Sequence, residues 1–189
     1  MNNESSPLAN HITFIGAGEG QWRITSIAAV SGETLPPSTH LRVGFTNVLE
    51  NGDGAAFVLN GRTSNVRYTT RAELGDLQGR QSPLGRPGAR NAALIPIKKS
   101  AQWWAMAQDE RRAIFEEQSR HTSTGMQYLP QIARKLLHCR DLDEPFDFLT
   151  WFEFDPQHTH DFDHLLERLR ETEEWTYVER EVDLRLTIV

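Results

Sequence analysis

The sequence predicts an α+β protein, and two observations carry that prediction. The first half is crowded with short β-branched and aromatic runs broken by Gly, Asn and Ser, which is typical of strands and turns. The second half alternates period-two runs with stretches whose apolar residues recur every three or four positions, which indicates strands and helices in turn. This order favours a sheet with helices covering one of its faces.

Composition narrows the class of protein. Hydrophobic residues make up 38% and aromatic residues 9% of the 189 residues, which suits a packed core rather than a disordered chain. The formal net charge is −6 and no long basic stripe occurs, so we expect no nucleic-acid partner. The first residues lack the basic and apolar regions of a signal peptide, and nowhere do about eighteen apolar residues run together. We therefore expect a cytoplasmic protein that does not enter a membrane.

Four runs in the first half are predicted strands: HITFIGAG, WRITSIAAV, HLRVGFTNVL and NVRYTT. Residues 75–91, GDLQGRQSPLGRPGARN, come after them and are rich in Gly, Arg and Pro without apolar periodicity. That composition predicts a long connecting loop, and loops of this length inside compact proteins are often functional.

The second half begins with the apolar run AALIPI and continues through two predicted helices, QDERRAIFEEQSRH and YLPQIARKLL. One helical face of the second helix is shared by Ile132, Ala133, Leu136 and Leu137. Pro130 suits the first turn of this helix, where its missing N–H has no partner to lose. Arg134 lies inside this largely apolar segment.

Three more elements complete the chain. FDFLTWFEF, residues 146–154, alternates large residues between two sides and is predicted to be a strand. THDFDHLLERLRET repeats apolar residues at helical spacing, with Thr159 or Asp161 as the expected N-cap. EVDLRLTIV alternates apolar and polar residues up to Val189 and is predicted to be a half-buried strand.

Three conspicuous motifs have ordinary interpretations. Cys139 is the sole cysteine, which excludes an intrachain disulfide or a cysteine-based metal cluster and favours a small buried side chain. GAGEG, residues 16–20, lacks the spacing of a dinucleotide fingerprint and is interpreted as a turn. HTHDFDH, residues 158–164, groups possible metal ligands, but it opens a helix that needs capping acids, so we interpret it as a helix start.

The run KKSAQWW leaves two interpretations open. Trp103 and Trp104 are adjacent, so their indoles point in different directions and suit a core and an interface. Lys98 and Lys99 precede them and fit either a solvated turn or a pair that holds the carboxylates of a flat aromatic ligand.

His121 and Arg134 raise a similar question. Taken singly, His121 fits a surface or capping histidine, and Arg134 fits a salt-bridge partner. Together they could supply one neutral ligand and one permanent cation to the same site. The single residues do not decide between these interpretations.

A longer pattern does point to a family. The stretch from IPIKKSAQWW through SRHTSTGMQYLPQIARKLL to FDFLTWFEF, together with RETEEWTYVEREVDLRL, closely resembles the haem-binding half of the chlorite dismutase family. The resemblance rests on the order and spacing of Lys, Trp-Trp, His, Arg and Glu-Trp, and it runs from Ala92 to the C-terminus. The short first half resembles the compact, cytoplasmic, dimeric branch of that family.

This resemblance implies a fold and a domain organisation. The expected fold is a dimeric α+β barrel with two ferredoxin-like units in each chain. Residues 1–91 would form a reduced first unit and its connecting loop, and residues 92–189 the unit that binds haem. A homodimer is the implied assembly, with Trp104 packed towards the subunit interface.

The resemblance also implies a haem b (iron protoporphyrin IX) site. His121 matches the proximal histidine that binds the iron, and Glu174 matches the acid that accepts its other ring N–H. Glu171 is close enough in sequence to be confused with Glu174, but only Glu174 directly precedes the Trp of the motif. Lys99 matches the proximal lysine, which contacts a haem propionate and the histidine network, and Trp103 matches the indole beside the haem.

Two residues are implied on the opposite, distal side. Arg134 matches the single charged residue there, and Gln81, in the predicted loop, resembles the distal glutamine of the compact branch. In this family the substrate is chlorite, which is converted to chloride and dioxygen. Arg134 would attract the anion and keep the transient hypochlorite from escaping.

Two alternatives remain open at this point. The same fold carries coproheme decarboxylases, whose distal pocket lacks this arginine and whose chemistry uses a tyrosine. The tyrosines of this chain are Tyr68, Tyr128 and Tyr177. A non-catalytic dimer that binds or senses haem is the alternative from a different functional class.

Overall fold

The computed structural model describes residues 11–44, 54–63 and 68–189. Within them, the strands in chain order are β1 (His11–Ala17), β2 (Trp22–Ser31), β3 (His40–Gly44), β4 (Phe57–Arg62), β5 (Asn91–Lys99), β6 (Ala133–His138), β7 (Phe148–Phe154) and β8 (Val178–Ile188). They close into a barrel in the order β1-β3-β2-β8-β5-β7-β6-β4, and the pairings are antiparallel. Closure leaves no free sheet edge.

Helices cover part of the outside of this barrel. They are α1 (Arg71–Arg80), α2 (Ala101–Ala105), α3 (Gln108–Arg112), a π-helix (Ala113–Gln118), α4 (His121–Met126) and α5 (Thr159–Arg170). Three short 3₁₀ turns lie at Arg140–Leu142, Pro156–His158 and Glu173–Tyr177. No helix in the described ranges is long and apolar enough to cross a membrane.

The strand order divides the barrel into two contiguous halves. Strands β4, β1, β3 and β2 lie side by side, and so do β8, β5, β7 and β6. The β2–β8 seam is long, whereas the β4–β6 seam has one paired position, Arg62 with His138. Gly61 allows that close approach, because a Cβ there would lie 2.7 Å from Cβ of Leu137.

Strand β7 shows how the barrel separates its two cores. Leu149 and Trp151 point into the barrel, whereas Phe152 and Phe154 point outwards and pack with Phe162 of α5. The predicted period-two strand in FDFLTWFEF is confirmed. Strand β7 is therefore buried on both faces. Its outer face lies beneath the helices of the second half and could line a site there.

The region that connects the two halves differs from the predicted loop. Residues 71–80 form α1, which begins with a capping box between Thr70 and Glu73. Leu77 is the buried residue of this helix, so the sequence shows little apolar periodicity. Of the predicted strand NVRYTT, residues 65–67 lie outside the described residues, and Tyr68–Thr70 lead into α1 instead of forming a strand.

The predicted helix in YLPQIARKLL is also wrong, because its second half is strand β6. Ala133 to His138 pair with β7 along their whole length. Ala133 and Leu137 are fully buried, and Arg134 lies on the opposite face. A short apolar run does not distinguish a helical from a strand period, and here pairing with β7 decides it.

Two helix predictions need smaller corrections. The segment QDERRAIFEEQSRH begins as α3 but continues as the π-helix, and the chain turns again before α4. Helix α5 lies where the sequence predicts it, but its N-cap residue is His158. Asp161 pairs with Nδ1 of His158 at 2.8 Å, and the described part of the chain contains no cluster of three or more His, Cys, Asp or Glu side chains that could hold a metal ion.

Cys139 is fully buried, as its interpretation as a small core residue requires. Its thiol donates to the carbonyl of Phe146 at 3.0 Å. Burial raises the pKa of the thiol well above its usual range, with a further contribution from Glu144 and Asp147. The thiol is therefore neutral and unreactive.

Candidate functional site

A cleft of about 380 Å³ lies on the outer face of the second half of the barrel. Strands β5, β6 and β7 form its floor, and α4 and α5 lie along its side. Most of its walls are apolar, and the residues that argue for a function are His121, Arg134, Lys99, Trp103, Glu174 and Tyr68. An apolar cleft of this volume with a few polar groups is typical of a small-molecule or cofactor site.

The polar centre of one wall is a chain of three charged or ionisable side chains. Nδ1 of His121, at the start of α4, lies 2.6 Å from Oε2 of Glu174. Oε1 of the same carboxylate accepts a hydrogen bond from Nζ of Lys99 at 2.8 Å. Glu174 and Lys99 are each only 4% exposed. The structure thus brings together side chains that lie 53 and 75 positions apart in the sequence.

This network determines which ring nitrogen of His121 carries the proton. Burial alone would raise the pKa of Glu174, but its interactions with His121 and Lys99 outweigh burial and lower the pKa to about 2. An ionised carboxylate can only accept, so Nδ1 of His121 carries the proton that it donates to Glu174. Nε2 has no hydrogen-bond partner within the described ranges and remains available to a ligand of the cleft.

Aromatic rings fix the orientation of His121. Phe115 stacks on the imidazole with centroids 4.4 Å apart and planes inclined by 20°. Trp175 lies on a nearly parallel plane at 6.1 Å. Nζ of Lys99 sits 4.6 Å from the ring centroid of Trp103 and 5.4 Å from that of Trp175. The imidazole is therefore held at its edge by Glu174 and over one face by Phe115.

Three buried donors in the cleft lack partners within the described ranges, and the hydroxyl of Thr63 is one of them. Nε1 of the fully buried Trp103 and the hydroxyl of Tyr68 have no hydrogen-bond partner among the residues that the structure describes. The two rings meet edge to face, with centroids 5.9 Å apart. A buried polar group without a partner needs an explanation, and a ligand with acceptor oxygens would provide one.

Arg134 differs from the paired side chains of His121, Glu174 and Lys99. It projects from β6, and within the described ranges its guanidinium forms no ion pair or hydrogen bond. Burial lowers the pKa of Arg134 from its usual value, yet a guanidinium remains positively charged at neutral pH. Nε2 of Gln81 donates to the main-chain carbonyl of Arg134 at 2.6 Å. Gln81, predicted from the loop, therefore does lie beside Arg134, at the end of α1.

Trp104 and Glu171 lie away from this centre. The indole N–H of Trp104 donates to Asp147 at 3.0 Å, and the guanidinium of Arg140 lies 4.0 Å from its ring centroid. These contacts are within the same chain, so an interface role for Trp104 stays a prediction. Glu171 is exposed at the end of α5, and it is Glu174 that contacts His121.

Sequence reasoning missed two residues around His121. Phe115 and Glu116 belong to the π-helix that precedes it, and their segment was predicted only to be a helix. Glu116 accepts hydrogen bonds from the main chain just after His121. No sequence signal marks a π-helix, although an acidic residue shortly before a histidine-led helix could have suggested a cap.

Comparison with known proteins points to one family. A family model described as "Chlorite dismutase" matches residues 58–188. A chlorite dismutase from Ideonella dechloratans is 34% identical over 97 residues, which cover 50% of this chain but only 33% of the relative. The chain thus matches about a third of the length of that curated relative.

Solved structures extend the comparison to the fold. A dimeric chlorite dismutase from Nitrobacter winogradskyi is 52% identical, with 94% of this chain and 99% of that chain covered and a TM-score of 0.89. A chlorite dismutase from Candidatus Nitrospira defluvii in complex with imidazole is 21% identical, with 96% and 92% covered and a TM-score of 0.67, and shows a likeness of fold alone. The expected α+β barrel is thereby confirmed. Since the family model spans more than half of its residues, the chain belongs to the chlorite dismutase family.

Proposed function

We propose that this protein is a haem b-dependent chlorite dismutase, which converts chlorite to chloride and dioxygen. The observation that carries the proposal is one apolar cleft that holds both a carboxylate-backed imidazole and an unpaired guanidinium. The first suits an iron ligand and the second suits a small anion. The 52% identity to a dimeric chlorite dismutase supports the same activity.

The residues of the cleft fit haem b. Apolar walls suit the porphyrin, and His121 offers Nε2 to a metal because Nδ1 is engaged by Glu174. The N–H of Trp103 and the hydroxyl of Tyr68 are donors without partners in the described part of the chain, as the carboxylates of a porphyrin require. When bound, haem supplies the redox chemistry with chlorite at its iron.

The proposed proximal residues control the iron ligand. His121 would hold the iron through Nε2, while Glu174 fixes the tautomer and increases the electron density of the imidazole. Lys99 balances the buried charge of Glu174 and keeps the carboxylate in place. We assign Trp103 to the wall beside the porphyrin, since its ring packs on the ammonium group of Lys99.

The proposed distal residues act on the anion. The guanidinium of Arg134 attracts chlorite and donates up to two hydrogen bonds to one anion in a fixed plane. With haem bound, Arg134 would also hold hypochlorite in the cleft and so limit its escape. Gln81 holds the main chain at Arg134 through its hydrogen bond to the carbonyl. This bond restricts the position of the backbone from which the guanidinium extends.

Oxygen evolution tests this function. Protein reconstituted with haem b should bind one haem per chain and release dioxygen from chlorite, measured with an oxygen electrode. The same preparation assayed with hydrogen peroxide and with coproheme distinguishes the alternatives. Haem binding without oxygen release would contradict the proposal and favour a haem-binding or haem-sensing dimer.

A coproheme decarboxylase-like enzyme is the second candidate, because two tyrosines line the cleft. The hydroxyl of Tyr68 lacks a partner among the described residues, and Tyr128 bonds His164 at 3.1 Å. The guanidinium of Arg134 favours chlorite over this alternative, since the decarboxylases lack that arginine. Conversion of coproheme to haem b would reverse the order of the two candidates.

We also propose a homodimer, as in the relative from Nitrobacter winogradskyi, with Trp104 at the interface. Residues 1–91 and 92–189 are proposed as two ferredoxin-like units, which suits the two contiguous halves of the barrel. A cytoplasmic location stays a prediction. Light scattering tests the assembly, and a monomer or a pentamer would contradict it.

A further inference from the structure

The main chain just before His121 has an unusual path. The π-helix ends with the N–H of Ser119 bonded to the carbonyl of Ile114 at 3.1 Å, five residues back. Arg120 then adopts a left-handed conformation with a φ of 53°, which is uncommon for a residue other than glycine. Single π-helical turns are rare and occur frequently at functional sites. Surrounding contacts must therefore hold this path in place.

Glu116 provides two of those contacts. Its Oε2 accepts the main-chain N–H of Thr122 at 2.6 Å, and its Oε1 accepts that of Ser123 at 3.2 Å. Both N–H groups belong to the first turn of α4, where a helix offers them no acceptor. Arg120, at the N-cap position, makes no side-chain cap. Glu116 thus supplies from the preceding turn the cap that α4 lacks.

Neighbours of Glu116 in the same turn hold the other parts of the proximal network. Phe115 packs flat on the imidazole of His121. The hydroxyl of Ser119 accepts the main-chain N–H of Glu174 at 2.9 Å, and Ser119 is buried. One turn therefore contacts the ring of His121, the backbone that follows it and the backbone of its carboxylate partner.

We propose that Glu116 is a positioning residue for His121. By holding the N–H groups of Thr122 and Ser123, it fixes the direction in which His121 presents Nε2 to the cleft. A carboxylate suits this role because it has two equivalent acceptor oxygens for two successive donors, whereas an amide has one. The inference rests on the proposed function in one respect, which is that Nε2 of His121 binds the haem iron.

Glu117 is a matched control. It is the same residue type, one position further along the π-helix, and it is exposed. Both Glu116 and Glu117 raise the pKa of Arg112 through their charge. No hydrogen bond of the Glu117 side chain is found within the described ranges. Glu117→Ala therefore removes the same charge beside Arg112 and leaves the cap intact.

The first measurement is amide hydrogen exchange at Thr122 and Ser123, on the full chain with and without haem. In Glu116→Ala, exchange at these two amides should be about tenfold faster, because each loses a charge-assisted hydrogen bond. Glu116→Gln should fall between it and wild type, and Glu117→Ala should match wild type. Wild-type exchange in Glu116→Ala would overturn the proposal.

The second measurement is the iron–histidine stretching band of the ferrous protein, recorded by resonance Raman spectroscopy. Glu116→Ala should broaden or shift this band and speed haem release several-fold, with partial recovery in Glu116→Gln and no change in Glu117→Ala. Faster exchange with an unchanged band would reduce Glu116 to a helix cap and overturn its positioning role. If Glu116→Ala does not fold, Glu116→Gln decides the matter, since an unchanged band in that variant contradicts the proposal.

The two measurements keep the inference apart from the proposed function. A wild-type protein without an iron–histidine band would contradict His121 as the ligand, and with it the positioning role of Glu116. The exchange of Thr122 and Ser123 in the haem-free chain would still show whether Glu116 caps α4. A normal wild-type band that Glu116→Ala leaves unchanged would overturn the inference alone.

Discussion

The two walls of the cleft are built on opposite principles. On the proposed proximal wall, formed by His121, Glu174 and Lys99, the buried charges are paired and Phe115 stacks on the imidazole. On the distal wall, formed by Arg134 and Gln81, the guanidinium has no partner within the described part of the chain. A paired network suits the fixed metal ligand that we propose for His121, whereas an unpaired cation suits the exchanging anion that we propose for Arg134.

Removal of the proximal imidazole should have the largest effect. His121→Ala leaves the proposed haem without a protein ligand, so haem affinity should fall by more than about 100-fold. The haem absorbance per chain after gel filtration measures this. His160→Ala is a suitable control, because His160 is exposed on α5 and should keep full occupancy. Full haem occupancy in His121→Ala would show that the iron ligand lies elsewhere.

The next largest effect should come from neutralising the proximal carboxylate. Glu174→Gln leaves Lys99 as a buried charge without its partner, so the free energy of unfolding should decrease by about 3–5 kcal/mol. Urea denaturation of the haem-free chain measures it. The same substitution at the exposed Glu171 should change stability by less than about 0.5 kcal/mol. Equal effects at the two positions would contradict the assignment of the network to Glu174.

On the distal wall, loss of the cation should affect the anion and spare the cofactor. Arg134→Ala should keep haem, because His121 and Glu174 are unchanged, but it removes charge-assisted hydrogen bonds worth on the order of 1.5–3 kcal/mol. The dioxygen yield before inactivation should fall, and hypochlorite caught by an external trap should rise. Arg134→Lys should lie between wild type and Arg134→Ala, since it keeps the charge without the planar fork.

The control for this variant is Arg80→Ala, which removes an exposed arginine from the last turn of α1. It should evolve oxygen as the wild type does. If Arg134→Ala also evolved oxygen at the wild-type rate without extra hypochlorite, the distal cation would have no part in the reaction. The difference between the paired and the unpaired side chains of the cleft would then have no effect on the reaction.

The elements that form the cleft were not equally predictable from the sequence. Strict alternation made β7 predictable. Strand β6 was mistaken for a helix, because its short apolar run, which includes Leu136 and Leu137, does not distinguish the period of a helix from that of a strand. Strand β6 depends on pairing with β7, which is a long-range effect. Helix α1 was missed because its stability comes from the Thr70 and Glu73 cap rather than from an apolar stripe.

The candidate site shows the same limit. His121 and Glu174 lie 53 positions apart, and no local pattern joins them, so only the resemblance to a family brought them together. The resemblance supplied the residues that are expected to bind the cofactor and the substrate. It did not supply Glu116 or Phe115, whose position depends on a π-helical turn that adds a residue without any sequence signal.

An ion pair joins α1 to α3, the helix directly before the π-helix, and its loss should have the smallest effect. Glu73 of α1, the helix that ends beside Gln81, binds the guanidinium of Arg112 with contacts of 2.7 and 2.9 Å. Arg112 is the last residue of α3, directly before the π-helix that leads to His121. The hydrogen bond to Arg112 is the main cause that lowers the pKa of Glu73 to about 2, against the opposing effect of burial.

Since the folded-state pKa of Glu73 lies below its usual value of 4.5, the pair stabilises the fold fully above about pH 4.5. That contribution is lost as the pH falls towards 2. The pair is partly exposed, so we expect roughly 1 kcal/mol rather than the full value that the pKa shift implies. The unfolding free energy of Glu73→Gln should therefore be lower than that of wild type at pH 6, and the difference should shrink as the pH falls from about 4.5 towards 2. A constant difference over that range would mean that the loss comes from the capping box and not from the charge pair between α1 and α3.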